Sequence, residues 1–211
     1  MRDFVVERAG PDEVAEVAEA YLRAGADEAV AVWVAGPDET AVAELRRAHT
    51  PALIAAAVRD DEVWIARADD TICAVALWQH MTDGSRYRAE ADELRANDPR
   101  TGPWQRLALA VDRVAAAHPR DYPHHYLHSI ATVPEHRGTG AGTALLATRL
   151  HRFAATGERA FLAASTERSA RLYARLGFAR RGQPLPLPCG PTLIPMWRPH
   201  PAADPGSGTL G

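Results

Sequence analysis

The chain contains no lysine: all 24 residues in its lysine-plus-arginine count are arginine. Chemistry that needs an ε-amine is thereby excluded, namely a Walker-type phosphate loop, a pyridoxal Schiff base and a lysine nucleophile. Cysteine is nearly as scarce. Cys73 and Cys189 are too far apart and too unsupported for a zinc pattern or a disulfide framework, so a reducing interior is the expected compartment. The net charge of −3, with Arg spread along the chain, provides no basic stripe for nucleic acid. The longest apolar run, Ala29 to Ala35, is far short of the roughly 20 residues that span a membrane. Met1 to Arg8 lacks the apolar stretch of a secretory signal. These absences predict a soluble, cytoplasmic protein with neither a nucleic-acid nor a membrane partner. What remains, 46% hydrophobic and 24% charged in 211 residues, suits one globular domain with a sizeable core.

Strand and helix patterns alternate along the chain. Phe4 to Arg8 reads as a strand, and Gly10-Pro11-Asp12 opens a helix with Val14, Val17, Ala18, Tyr21 and Leu22 at helical spacing. Ala29 to Val34 fits either a strand or an irregular helical segment, and a helical run follows from Thr40 to Ala57. Glu62 to Ala68 and Ile72 to Trp78 flank Asp69-Asp70-Thr71 as an antiparallel hairpin. Arg86 to Asn97 and Gly102 to His118 are helical in pattern, with Pro119 ending the second. Next come a strand at Tyr126 to Val133, a glycine-rich loop at Pro134 to Gly142, and a helix from Thr143 to about Ala155. Ala160 to Ala164 (strand), Glu167 to Leu176 (helix, stopped by Gly177) and Phe178 to Arg181 (strand) complete the run. Gly182 to Pro191 holds four prolines and reads as irregular loop before a last strand at Thr192 to Arg198.

Ser129 to Gly142 carries the chemistry. It leaves a strand, passes three glycines and enters a helix. Such a loop lets successive backbone N–H groups converge on an anion while the helix N-terminus adds partial positive charge, so the ligand should carry a phosphate or pyrophosphate. A dinucleotide fingerprint would require glycine at position 143, where Thr143 stands, and ordinarily opens a chain rather than lying two-thirds along it. The plainer alternative is a turn that merely joins strand to helix.

The segment resembles motif A of the GNAT superfamily of acyl-CoA N-acyltransferases: Arg or Gln, two residues, Gly, one residue, then Gly or Ala, here Arg137, Gly140 and Gly142. Phe161 to Phe178 is similar to the family's motif B, with Leu172-Tyr173 and Leu176-Gly177-Phe178 in register. Gly190-Pro191-Thr192, Met196-Trp197-Arg198 and the hairpin residues Val63 to Ala66 look like the puromycin N-acetyltransferase branch. The likeness covers Glu62 to Arg198 apart from 86–118 and is generic before residue 58. It implies an α/β GNAT fold, a mixed sheet of six or seven strands flanked by helices. That fold would form a single domain over residues 1–198, with a helical insert at about 86–118 and a disordered tail at 199–211.

The resemblance also implies acetyl-CoA as co-substrate. Backbone amides of Arg137, Gly138, Thr139, Gly140, Ala141 and Gly142 would bind the coenzyme A pyrophosphate, with Thr143 assisting. Ile130, Ala131 and Thr132, on a fourth strand that bulges and splays there, would pair with the pantetheine arm. Tyr173 falls where the family places a general acid for the departing thiolate; otherwise it packs on a helix face. Thr166 replaces the family's common Asn, and Ser165 or Ser169 can substitute in a pantetheine contact. For the general base, His128 occupies a strand position where many members carry Glu, and its ordinary pKa suits base work near neutrality. His80 and, less directly, His124 or His125 are further candidates, and His128 also reads as a strand histidine bonded to a neighbour. The puromycin-type glutamate of the fifth strand is Ala163 here. His124 and His128 have metal-ligand spacing only on a helix, so no metal is expected.

The acceptor pocket should come from the helices before residue 58, the Trp78 to Met81 end of the hairpin, the insert and the loop Pro184 to Pro191. Trp78, His80, Tyr126 and His128 are the expected substrate contacts, with Trp104, Tyr122 and Trp197 as further aromatics and Asp92, Glu93 and Asp98 as available acids. Aromatics outweigh carboxylates, which favours an aromatic or amphipathic amine over a polycationic aminoglycoside. The expected activity is acetyl transfer to the amine of a small molecule, an antibiotic-like compound or secondary metabolite, hence a role in antibiotic resistance. No cysteine near the motifs can carry the acyl group, so direct attack in a ternary complex is the expected route. A non-catalytic acyl-CoA-binding sensor or partner protein and a peptide or protein N-acetyltransferase are the alternatives. Monomer and homodimer both remain open.

Overall fold

A computed structural model describes residues 3–37, 39–83, 85–97, 102–120 and 122–199. Asp98 and the tail positions 200–211 lie outside the described residues. In chain order the elements are β1 (Val5–Arg8), α1 (Val14–Ala24), α2 (Ala29–Ala35), α3 (Glu39–Asp60), β2 (Glu62–Ala68), β3 (Thr71–Met81), α4 (Ser85–Asn97) and α5 (Gly102–Ala117). They continue with β4 (His124–Thr132), α6 (Ala141–Thr156), β5 (Ala160–Ala164), α7 (Glu167–Arg175), β6 (Ala179–Arg180), β7 (Leu185–Pro186) and β8 (Thr192–Arg198). The strands form one mixed sheet in the order β1-β2-β3-β4-β5-β8-β6, with β7 paired to β8 off this path. The pairs are antiparallel except β4 with β5, which is parallel and bridged by α6.

Local sequence explains most of these elements. Ala68 pairs with Thr71, so the β2–β3 loop is Asp69-Asp70, and both aspartates sit at positive φ (50° and 61°). That is the primed turn whose twist matches the flanking strands. Helix α7 starts at Thr166, whose hydroxyl accepts from the Ser169 N–H. The sheet separates two helical layers. On one side α6 and α7 bury Leu145, Leu146, Phe153 and Tyr173 against Trp78, Leu127 and Leu162. On the other, α1 and α3 cover Val63, Ile65, Val75 and Leu77, while α4 and α5, with α2 at their margin, cover Tyr126, Phe161 and Trp197.

One open reading resolves and two expectations change. Ala29–Ala35 is helical: the Glu28 carboxylate caps it by accepting from the Val30 and Ala31 N–H groups. The proline-rich stretch is not wholly irregular, because Leu185 and Pro186 pair with Leu193 and Thr192; at a sheet margin a proline need not donate. Helix α6 begins at Ala141, so Gly142 and Thr143 belong to its first turn.

Candidate active site

Strand β4 holds β5 only over His125↔Ala160, Tyr126↔Phe161 and Leu127↔Leu162. Beyond Leu127 the two strands diverge, and the β5-facing edge of His128 to Thr132 has no strand partner. On its other edge β4 stays paired to β3, but the register jumps from Trp78↔Leu127 to Leu77↔Ser129, leaving His128 as an extra residue. The bulge is therefore at His128, two residues earlier than Ile130 to Thr132, which keep regular pairing with Ala76, Val75 and Ala74. A bulge re-aims side chains. The His128 and Tyr126 rings lie 6.1 Å apart, and Ser129 Oγ accepts from the Tyr21 hydroxyl at 3.1 Å. A strand edge opened in this way can pair with an extended amide-bearing arm as an added strand would.

At the far end of the splayed edge lies the glycine-rich loop. Gly138 and Gly140 adopt φ of 75° and 99°, and Gly140 is the N-cap of α6. The Arg137 N–H is bonded to Pro134 O and the Thr139 N–H to His136 O, so these two amides of the expected set are already used. The N–H groups of Gly138, Gly140, Ala141, Gly142 and Thr143 have no acceptor among the described residues, and the first intrahelical bond runs from Ala144 N to Gly140 O at 2.9 Å. Free donors at a helix start suit a pyrophosphate. The loop also approaches β4 closely: a Cβ at Gly142 would fall 2.9 Å from Thr132 Oγ1, so a larger residue there requires the Thr132 side chain to shift. The loop's cation is committed elsewhere. The Arg137 guanidinium forks onto Asp27 at 2.6 and 2.7 Å and donates to Ala24 O and Thr132 O, tying the loop to the end of α1 and to β4.

Tyr173, on α7, is buried, and burial together with the charge of Glu28 pushes its phenol up to about 12. It therefore keeps its proton at neutral pH, as an acid for a leaving thiolate must. Of the expected pantetheine contacts, Thr166 and Ser169 are engaged with each other in the α7 cap, whereas the Ser165 hydroxyl has no partner among the described residues. Glu28 was not legible as a site residue. Its charge acts on both Tyr173 and Tyr21. The one sequence signal was an acidic residue directly preceding the Ala29–Ala35 run.

Where the acceptor is expected, His128 packs beside Tyr87 and Tyr126, each ring 6.1 Å away. Its Nδ1 is buried without a partner, and desolvation lowers its pKa to about 4. The imidazole is thus neutral, with its proton-accepting capacity unspent. Tyr126 and Tyr87 face each other hydroxyl to hydroxyl at 3.4 Å. Helix α2 fastens over this side: Trp33 Nε1 donates to Pro188 O at 2.9 Å, and Arg106 of α5 donates to Val34 O and Ala35 O. Two expected contacts lie elsewhere. Trp78 is 1% exposed and packs edge-on against Phe153 beneath α6, because it alternates to the opposite face of β3. His80 pairs with His125 at the other end of β4, in a recess of about 230 Å³ with Pro123, His124 and Glu158, remote from the glycine loop. His124 bonds Tyr122 O and His118, and His125 meets Glu158, so both are occupied outside the cleft. Asp92 is exposed and paired with Arg95, and Tyr122 lies at the surface under Arg159. Among the described residues, no three His, Cys, Asp or Glu side chains converge on a metal position.

Residues 33–178 match the model of the acetyltransferase (GNAT) family. The chain belongs to this family. As a GNAT enzyme it is an acetyltransferase that uses acetyl-CoA as co-substrate, and the free amides, the opened β4 edge and the protonated Tyr173 fit that ligand. Among solved structures, the GNAT chain is similar to a histone acetyltransferase HPA2 and related acetyltransferase from Corynebacterium glutamicum (27% identity, 93% of this chain and 96% of the other, TM-score 0.64). It shares its fold with a polyamine N-acetyltransferase of Drosophila melanogaster that forms N-acetylagmatine (18%, 92% and 98%, TM-score 0.65). The arylalkylamine N-acetyltransferase 2 of Aedes aegypti has the same fold (14%, 94% and 99%, TM-score 0.70). No curated protein matches the sequence.

Proposed function

We propose that this GNAT enzyme acetylates the amine of a small molecule with an apolar or aromatic body, by direct attack in a ternary complex. The observation that carries the reading is the division of labour at the splay. Free amides cluster at the start of α6 and Tyr173 keeps its proton, while a neutral His128 with an unpartnered Nδ1 packs beside two tyrosines at the bulge of β4. Solved structures of the same fold include enzymes named for polyamine, agmatine and arylalkylamine substrates, which agrees with an amine acceptor.

The amine nitrogen attacks the thioester carbonyl carbon, the C–N bond forms, and the C–S bond breaks with its electron pair leaving on sulfur. Tyr173 gives that sulfur its proton and is reprotonated from solvent. A free ammonium is too weak an acid to protonate an imidazole of pKa about 4, so the acceptor must enter as the neutral amine. Once bonded to carbon the nitrogen is far more acidic, and His128 takes its proton at that stage. N–H groups along the opened β4 edge polarise the carbonyl.

The strap of α2 onto the proline loop and α5 speaks for a small acceptor over an extended peptide. The motifs shared with puromycin-type enzymes, Gly190 to Thr192 and Met196 to Arg198, lie in and beside β8, so they speak for a common framework and carry no substrate preference, in keeping with Ala163 in place of the glutamate. No helix among the described residues is long and apolar enough to cross a membrane. The test is thiol release from acetyl-CoA against a panel of aliphatic and aromatic amines, with N-acetyl products identified by mass spectrometry. Acetylated small amines are expected. Coenzyme binding without any turnover would instead establish a sensor.

A further inference from the structure

We infer that the groove between α4 and α5 is a binding site for a small phosphomonoester, a phosphate group on an apolar body. A recess of about 430 Å³ there is lined by Arg88 of α4, by Leu109, Asp112, Arg113 and Ala116 of α5, and by Arg120 just beyond that helix. None of these residues belongs to β4, the glycine loop or α7, so the inference stands apart from the acetyl-transfer site. Leu109, Arg113 and Ala116 follow one another at i, i+4 and i+7 and therefore share one stripe of α5. The opposite stripe, with Val111, Val114 and Ala115, is buried in the core, which turns the first toward the groove.

Three arginines meet in this recess, and none of them makes a hydrogen bond or an ion pair among the described residues. The carboxylates at hand are engaged elsewhere. Asp112 is bonded to Arg95, which also holds Asp92. Asp83 accepts from the Ser85 N–H at 2.7 Å. Bonds from Ser85 hold the Asp83 carboxyl low and the charges of Arg88 and Arg120 add to this, so both cations lie within electrostatic reach of one carboxylate without closing an ion pair. Like charges gathered in a recess repel, and a bound anion relieves the field they focus there. Guanidinium forks match phosphate oxygens bidentately. A phosphomonoester carries about −1.5 to −2 at neutral pH on three terminal oxygens, enough to engage all three arginines, where a carboxylate offers two oxygens and one charge. Leu109 and Ala116 supply the contact for its apolar body. The volume is that of a small-molecule site, within the usual range of about 300–1,000 Å³. Positive charge does not continue along the groove, because Arg95 is taken and Asp92 and Glu93 stand exposed on α4, so an extended polyanion does not fit.

The experiment is calorimetric titration of the full chain with phenyl phosphate, inorganic phosphate and phenol at about 0.15 M salt. Dephospho-coenzyme A is present throughout, to occupy the glycine loop without offering a second phosphomonoester. Phenyl phosphate should bind, more tightly than inorganic phosphate, and phenol should not. Arg113→Gln and Arg120→Gln should each weaken phenyl phosphate by about tenfold or more. Arg47→Gln, which removes an exposed charge from α3 on another part of the surface, should leave the affinity unchanged. All three side chains are exposed and unbonded among the described residues, so the variants keep the fold. No binding to the wild type, equal affinity for the two phosphates, binding that survives both recess variants, or an equal loss in Arg47→Gln would overturn the assignment. Binding of dephospho-coenzyme A is scored on its own, so the glycine-loop reading and this inference fail separately.

Discussion

Gly140 and Gly182 offer a matched comparison. Both sit at positive φ (99° and 71°), and a Cβ added to either meets no heavy atom within 4 Å. Alanine at either position therefore pays a conformational penalty without a steric one, about 1–2 kcal/mol for an L-residue in the left-handed region. In a chain of this size that corresponds to a fall in Tm of roughly 2–8 °C. The two positions differ in what surrounds them. Gly140 caps α6 amid the free N–H groups of Gly138, Ala141, Gly142 and Thr143, and the open space over it is where an anion must approach. Gly182 lies between β6 and β7, away from those donors. Relaxing Gly140→Ala toward negative φ would rotate its N–H out of the set, and leaving it in place would put a methyl among the donors. Either way coenzyme A affinity should fall by about tenfold or more, the worth of one charge-assisted hydrogen bond. Calorimetric titration with coenzyme A and a thermal melt on each variant are the assays. Similar losses of Tm with a weakened Kd only in Gly140→Ala are expected, and an unchanged Kd in that variant would refute the loop's role.

Tyr173→Phe should lower kcat by about 10- to 100-fold with little change in coenzyme A binding, because the phenol held near 12 supplies a proton and not a contact; an unaltered rate would remove it from the mechanism. Arg137→Ala and Asp27→Asn should each raise KM for acetyl-CoA, and their effects should not add, since the pair acts as one tie between the loop and α1. If the guanidinium served the phosphates directly, Asp27→Asn would free it and tighten binding. His128 and His118 are held neutral by burial, at about 4 and about 3, below their unfolded values near 6.5. The unfolded chain thus binds more protons between these limits, so stability should be fully present above pH 6.5 and fall as pH drops through 6 to 4, by about 1.4 kcal/mol per pH unit for each histidine at its steepest. Urea unfolding of His118→Asn across that range should show a flatter profile, and an unchanged profile would contradict the cause given.

The glycine loop, the hairpin and the helix bearing Tyr173 were legible because each rests on local signals: glycines where φ is positive, a two-residue turn, an N-cap and a glycine stop. What the sequence hid depends on register and packing. Whether Trp78 faces the cleft or α6 turns on a period of two counted from a strand whose phase is set by the sheet, and the bulge at His128 exists only relative to β3. His80 and His128 look equivalent as strand histidines, yet His80 pairs with His125 near one end of the β3–β4 pairing while His128 is the bulged residue at its middle. Nothing local to Arg137 shows that Asp27, far away in sequence, occupies its guanidinium. Glu28 carries no local motif, and only the fold brings its charge to bear on Tyr173 and Tyr21.

On the proposed function, the unpaired amides of the glycine loop hold the coenzyme while the opened β4 edge receives its acyl arm. Backbone-amide NMR during a coenzyme A titration tests it directly. The resonances of Gly138, Gly140, Ala141, Gly142 and Thr143 should move first and furthest, accompanied by those of His128 to Thr132, and the amides of the His80–His125 recess should stay still. Binding that leaves the loop amides in place and shifts resonances elsewhere would contradict the claim.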